Sequence, residues 1–328
     1  MLLGEVNKGM RAMFVMMNAA RFLVGLQGFS LASASYMNAV NYARERIQGR
    51  HLLKFADRSA PSVPIIEHPD VRRMLLTMKA YVEGMRSLLY YVGLLEDHTR
   101  VSDEEVERRW LQGMVDLLIP ICKGYVTDRA FDVCSMGVQV YGGYGYISEY
   151  PQEQLLRDCR ITLIYEGTNG IQAMDLLARK MGSQKGTVVM DLVTRMQRTV
   201  AEAEKLAVTR ALGTQFKGAV GKLLQVGQHI GSAASGDKML QAFAFAHPFM
   251  EVLGDMVMAW MLLWRATTAA KKLEGKVKKK ETIFCEGQLK TAEHFIRAIL
   301  PATAGKMDAV LGLNAATVEM DEAAFGGK

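Results

Sequence analysis

The sequence predicts an all-α protein, a four-helix bundle followed by a second helical domain, and three observations carry that prediction. Apolar residues recur at helical spacing almost throughout: Val71, Met74, Leu75, Met78, Tyr81, Val82, Met85, Leu88, Leu89, Val92 and Leu95 form the i, i+3, i+4 stripe of a half-buried helix. Only seven prolines occur, and Pro61, Pro64 and Pro69 cluster in one connection, which leaves long stretches free of helix breakers. No strand pair and no hairpin turn chemistry stands out.

Each element follows from these signals. A stripe with Phe14, Met17, Phe22, Val24 and Leu31 defines a first long helix ending near Gly49, and a Ser- and Pro-rich loop covers 57–68. A second helix starts near Pro69, where proline fits a first turn. A third starts at Ser102, because Ser102-Asp103-Glu104-Glu105 has capping-box spacing, and it runs through a kink at Pro120 to the glycines at 142–145. A short segment follows from Pro151, then a helix from about Thr168 to Met181, and the four helices form one antiparallel bundle over 1–182. The polar Gly182-Ser183-Gln184-Lys185-Gly186 marks a domain boundary. Beyond it, 187–328 holds amphipathic stretches at 188–211, 214–234, 238–272 and 283–304, with a less regular segment after Pro301.

Composition narrows the class. Half the residues are apolar and 23% are charged, as in ordinary globular proteins. The richest apolar run, Met250 to Trp264, is broken by Glu251 and Asp255 and reads as a buried helix rather than a membrane span. Met1-Leu2-Leu3-Gly4-Glu5 lacks the basic start and long apolar run of a signal peptide. Cys122, Cys134, Cys159 and Cys285 show no CxxC pairing and no metal-like spacing with histidine, so reduced thiols, a cytoplasmic location and no metal site are expected. The net charge of +6 comes largely from six lysines between Lys271 and Lys280. Lacking interleaved aromatics or arginines, that run reads as a solvated inter-helix loop. A phosphate- or nucleic-acid-binding module is the alternative it leaves open.

The stretch Gln139 to Gln172, QVYGGYGYISEYPQEQLLRDCRITLIYEGTNGIQ, concentrates the chemistry. Gly142-Gly143-Tyr144-Gly145 is neither a dinucleotide fingerprint, since no strand precedes it, nor a P-loop, since no GK[ST] follows. Glu166 lies between the apolar Ile161–Tyr165 and the start of a helix. Asn169 and Gln172 have capping-box spacing there, and Thr168 is a second candidate cap, so free N–H groups would gather beside Glu166. A carboxylate among apolar neighbours loses hydration and becomes a better base, while an exposed loop glutamate is the plain alternative.

Taken together, QxxGGxGY, EYPxExLxRDxR and IYEGTxxIQ, with Asn18-Ala19-Ala20-Arg21 and Tyr42-Ala43-Arg44-Glu45-Arg46 upstream, resemble the C-terminal helical domain of the acyl-CoA dehydrogenase family over about 1–182. The helical extension looks like the larger subgroup that includes 3-methylmercaptopropionyl-CoA dehydrogenase. The resemblance implies FAD-dependent oxidation of an acyl-CoA to a trans-2-enoyl-CoA, with Glu166 removing the α-proton while the β-hydrogen leaves as hydride to the flavin. In the family a backbone N–H and a flavin hydroxyl stabilise charge at the thioester oxygen. Arg46, Gln139, Gly142, Gly143 and Thr168 map onto FAD contacts, several of them across a subunit interface. Arg21, Asn18, Tyr165 and Gly167 map to the substrate side. The resemblance further implies an electron-transfer flavoprotein as acceptor and a homodimer or homotetramer. Asn18 where relatives often carry Asp, Gly170 in place of a polar residue, and Gln48-Gly49 in place of Phe-Gly depart from the pattern.

Family members carry an N-terminal helical domain and a middle β-domain before this bundle, and the sequence opens where the third domain opens. The chain is therefore expected to fold and self-associate but to dehydrogenate poorly by itself. A non-catalytic oligomerisation module is the alternative.

Overall fold

The structure is a computed structural model and describes residues 4–327. The Met1–Leu3 opening and the side chain of Phe14, both used in reading the sequence, lie outside the described residues. Helix α1 (Gly9–Glu45) is followed by two short strands, β1 (Ile47–Arg50) and β2 (Ser62–Pro64). Next come α2 (Pro69–Val101), α3 (Glu105–Pro120), a π-helical turn (Ile121–Tyr125) and α4 (Val126–Tyr141). Helix α5 (Gln152–Ile161) and α6 (Asn169–Asp175), the latter prolonged by a π turn (Leu176–Lys180), complete the first half. The second half holds α7 (Thr187–Lys205), α8 (Arg210–Ala234), α9 (Met239–Ala244), α10 (Ala246–Leu273), α11 (Lys279–His294), α12 (Leu300–Gly312) and α13 (Ala316–Glu319).

The all-α expectation holds, with a correction at one connection. Strands β1 and β2 pair antiparallel, with Arg46 C=O accepting from Ile65 N–H at 2.8 Å. The first helix stops at Glu45, four residues early, because Arg46 turns extended at ψ 112° and leads directly into β1, where Gly49 takes a φ of +73°. The Arg50 guanidinium then donates to the carbonyls of Arg58 and Ala60 and ties down the loop between the strands. Alternation over three or four residues is too short a signal to separate from a loop.

Two helix edges also differ from expectation. Ser102 closes α2 rather than opening α3: its N–H donates to His98 C=O at 2.9 Å and its hydroxyl to Glu107, so no capping box forms. The chain after Pro301 stays helical to Gly312, since proline sits in the first turn of α12, where its missing N–H costs nothing. Pro120 is accommodated as read, in a continuous path from α3 into α4, with the π turn directly after it.

Helix α10 is the axis of the molecule. Every residue from Val252 to Leu263 is buried, and α10 packs on α2, α6, α7, α8, α11, α12 and the 121–125 turn. The run Met250–Trp264 is thus helical and buried apart from the half-buried Glu251 and the exposed Trp264, and no helix among the described residues is long and apolar enough to cross a membrane. One continuous buried cluster extends from Phe29 to Val310 through both halves. Close approach is bought with glycine at two places: a Cβ on Gly25 would lie 2.1 Å from Cys122 C=O, and one on Gly254 2.1 Å from the Tyr125 ring. All four cysteines are buried thiols. The lysine run is split between the end of α10, the loop to α11 and the first turn of α11. Lys271 pairs with Glu202 at 2.7 Å and Lys272 with Glu281 at 2.8 Å.

Candidate functional site

Between α5 and α6 the chain makes a tight loop closed by Asn169 N–H donating to Leu163 C=O at 3.1 Å. Its crest is Tyr165-Glu166-Gly167-Thr168. Glu166 and Gly167 are both left-handed, at φ +56° and +84°. That backbone is routine for glycine and costly for glutamate, so the surroundings must hold it. Glu166 is exposed, and the N–H groups of Glu166, Gly167, Thr168 and Gly170 find no acceptor among the described residues. The Glu166 carboxylate and these free donors therefore all lie within residues 166–170.

The cap of α6 is Thr168, whose hydroxyl accepts from Ile171 N–H at 3.4 Å. Asn169 does not cap, contrary to the spacing argument, because its side chain is turned inward and buried. Its amide donates to Gly124 C=O, Thr127 Oγ1 and Asp128 Oδ1 at 3.0, 2.9 and 2.8 Å, and its Oδ1 accepts from Lys123 Nζ at 2.9 Å. Gln172 is buried beneath the crest, with Nε2 donating to the carbonyls of Glu166 and Gly167 at 3.3 and 3.4 Å. The Tyr165 hydroxyl bonds Gln27 on α1.

Lys123 is 0% exposed, and burial drives its pKa down to about 8, with Asp128 and Glu166 pulling up and Arg21 pushing down. Arg21 is not on a solvated face. It is 4% exposed, pairs with Asp175 at 3.3 Å and lies beside Gly167. Asn18, one turn earlier, donates to Asp116 at 3.4 Å in a hollow of about 220 Å³ that it shares with Arg21, Asp175 and Lys180.

The remaining expected residues form a second cluster. Arg46 lies over the Tyr144 ring at 5.2 Å, next to the stacked Tyr42 and Tyr141 with Tyr150 edge-on to both, and no carboxylate pairs with it among the described residues. Gln139 is exposed and ends α4 by accepting from Gly142 N–H. Gly142 turns at φ +62°, and a Cβ on Gly142 or Gly143 would meet nothing within 4 Å. An unpaired guanidinium beside open, approachable backbone suits a phosphate group, so these residues fit the pyrophosphate of a dinucleotide such as FAD. Thr168 is not with them: Arg21 and Arg46 are separated by about 37 Å along α1 at the helical rise. The residues expected to touch FAD thus divide between two places on the molecule.

Sequence reasoning passed over Lys123, Asp128, Asn169 as an inward anchor, and His247. The signal for Lys123 was present, as the single charge in the apolar stretch Leu117–Val126.

A family model described as the C-terminal domain of acyl-CoA dehydrogenase matches residues 7–181, and one described as acetyl-CoA dehydrogenase C-terminal like matches 192–321. The chain is 38% identical over 311 residues to 3-methylmercaptopropionyl-CoA dehydrogenase of Ruegeria pomeroyi, covering 91% of this chain and 50% of the relative. It is 32% identical over 334 residues to the broad-specificity linear acyl-CoA dehydrogenase FadE5 of Mycobacterium tuberculosis, covering 99% and 54%. The chain thus spans about half the length of these curated relatives. Caenorhabditis elegans ACDH-11, solved with C11-CoA, matches with a TM-score of 0.69 at 16% identity, over 90% of this chain and 45% of that one. A Bacillus anthracis acyl-CoA dehydrogenase complexed with FAD matches at 0.65 and 20%, over 94% and 54%. At those identities the structural likeness establishes the fold alone.

Proposed function

The chain belongs to the acyl-CoA dehydrogenase family, and from that premise we propose that it forms the base-bearing wall of a FAD-dependent site that converts an acyl-CoA thioester to its trans-2-enoyl-CoA. The observation that carries this reading is the left-handed, exposed Glu166 on a loop anchored by buried Asn169. Strain of that kind persists where surrounding structure over-determines it, and it gathers at functional sites.

Glu166 takes the proton from the thioester α-carbon, and its exposure on the crest leaves both carboxylate oxygens open to a substrate laid across the loop. FAD, when bound, supplies the acceptor for the hydride from the β-carbon. The free N–H groups beside Glu166 face charge that develops on the thioester oxygen as the proton leaves. Gln172 holds the loop from below with Arg21 packed beside Gly167, and Tyr165 fixes it to α1. Asn18 and the hollow around it lie on the same side of α1 as Arg21, where the polar part of a thioester substrate would run.

Arg46, Gln139, Gly142 and Gly143 would hold the phosphate part of a FAD belonging to a second subunit, since they are too distant from Glu166 to serve the same flavin. Exposed Leu23, Met37, Ile161 and Ile164 support burial against further polypeptide, as a homodimer or homotetramer requires. Electrons would pass on to an electron-transfer flavoprotein, and the four unbridged buried thiols suit the cytoplasm. We place the boundary between the bundle and the extension at 183–186, where Gln184, Lys185 and Gly186 are successive left-handed residues.

The test is anaerobic titration of the FAD-loaded protein with octanoyl-CoA and 3-methylmercaptopropionyl-CoA. Loss of the flavin's visible absorbance in the wild type and not in Glu166→Gln is the expected result. Equal bleaching in Glu166→Gln would remove the proposed base.

A further inference from the structure

We propose that His247 and Lys123 are positioning residues for the Glu166 loop, acting through Asp128 and Asn169, so that helix α10 of the C-terminal extension holds the base in place. The catalytic consequence rests on reading Glu166 as the base; the positioning itself does not.

The polar residues of α10 make the case. The helix is buried almost throughout, yet it carries His247, Glu251 and Asp255 at intervals of four, on one face. Each grips a different side chain of the segment 125–129. His247 Nε2 meets Asp128 Oδ2 at 3.0 Å, Glu251 accepts from Arg129 at 2.7 Å, and Asp255 accepts from the Tyr125 hydroxyl at 2.6 Å. Thr303 and Lys306 of α12 brace the far end, the hydroxyl donating to Asp255 at 2.9 Å and the ammonium lying 3.5 Å from both carboxylates. Asp255 is buried and Glu251 mostly so, while His247 is half-buried at the end of the helix. Burying carboxylates is costly compared with apolar packing, so a helix serving only as core would carry leucine at 251 and 255.

The segment so gripped is the one that holds Asn169. Gly124, Thr127 and Asp128 accept from its amide, and Lys123 donates to its carbonyl oxygen. Asn169 in turn closes the loop through Leu163 C=O. The path from the extension to the base is therefore His247, Asp128, Asn169 and the loop, with bonds of 3.0, 2.8 and 3.1 Å. Lys123 enters from the π turn, a backbone irregularity that departs from regular α-helix beside the loop. Its depressed pKa agrees with a cation held by a neutral amide oxygen in the interior.

The test uses the full chain in three forms: wild type, His247→Ala, and His247→Gln, whose amide restores an N–H donor toward Asp128. Hydrogen exchange at Asn169 is compared with exchange along α8, and flavin reduction by octanoyl-CoA is followed in the FAD-loaded forms. His247→Ala should exchange at Asn169 at least about ten-fold faster, with α8 unchanged, and should reduce flavin more slowly at an unaltered half-saturating acyl-CoA concentration. His247→Gln should recover both. Unchanged exchange at Asn169, or a rise shared by α8, overturns the proposal. Absence of flavin reduction in every form, with the exchange contrast intact, upholds the positioning, which the exchange alone decides, and agrees with the poor dehydrogenation expected of this chain by itself.

Discussion

Gly25→Ala is the change that strikes hardest at the support beneath the site. Helix α1 passes the π turn so closely that an alanine methyl at 25 would lie 2.1 Å from the carbonyl oxygen of Cys122 and 2.8 Å from its carbon. Ordinary contact between such atoms needs well over an ångström more, and the obstacle is backbone, which cannot swing aside as a side-chain end can. Either α1 withdraws or the 121–125 turn moves, and that turn carries Lys123 against Asn169. Overpacking costs about 1–3 kcal/mol, and the upper part of that range applies where backbone meets backbone. Alanine returns about 0.5–1 kcal/mol through helix propensity, which leaves a net loss of about 2 kcal/mol. Gly221→Ala is the control: Gly221 is exposed on α8 with nothing within 4 Å of its missing Cβ. It should gain about 0.5–1 kcal/mol from the same propensity. Urea unfolding of the two variants and the wild type measures both. A Gly25→Ala protein as stable as the wild type would show that the tight crossing of α1 and the π turn has been misjudged.

Three more expectations follow from named groups. Glu166→Gly should stabilise the chain by about 1 kcal/mol, because the left-handed backbone no longer strains, while abolishing proton abstraction; calorimetry beside flavin reduction checks the trade. Burial holds the Lys123 pKa at about 8 in the folded chain, below the ordinary lysine value of 10.5, so the unfolded chain binds more protons between those values. This group's contribution to stability therefore rises with pH across that window, by at most about 3 kcal/mol, and the rise should vanish in Lys123→Met. The hydrogen bond that His247 donates to the Asp128 carboxylate raises the His247 pKa above 6.5, so its stabilisation is complete below 6.5 and is lost as pH climbs through the folded value. Asp128→Asn should flatten that part of a stability–pH curve, and an unchanged slope would show that the pair does not couple to folding.

Much of the fold was legible because helical periodicity reports which face of a segment is buried. The stripe from Val71 to Leu95 became the buried face of α2, and Pro69 its first turn. Pairings between distant segments leave no such trace: Ile47 and Pro64 form a strand register that neither stretch announces. Local spacing also underdetermines caps, since Ser102 and Asn169 both have the right neighbours yet are claimed by other partners, His98 in one case and the 123–128 segment in the other. Glu166 could be picked out from its motif and position. Its anchoring could not, because Lys123, Asp128 and His247 come from segments that only the tertiary fold joins. Glu251 and Asp255, read in the sequence as interruptions of an apolar run, turn out to be grips on Arg129 and Tyr125.

The role of Glu166 is tested most directly by α-proton exchange of an acyl-CoA in D2O with the FAD-loaded protein, followed by mass spectrometry or NMR. This isolates proton transfer from every later electron transfer. Deuterium should enter the α-carbon with the wild type and enter at least about 10²-fold more slowly with Glu166→Gln, the contribution typical of a positioned base. Exchange at the wild-type rate in Glu166→Gln would contradict it and assign the base elsewhere.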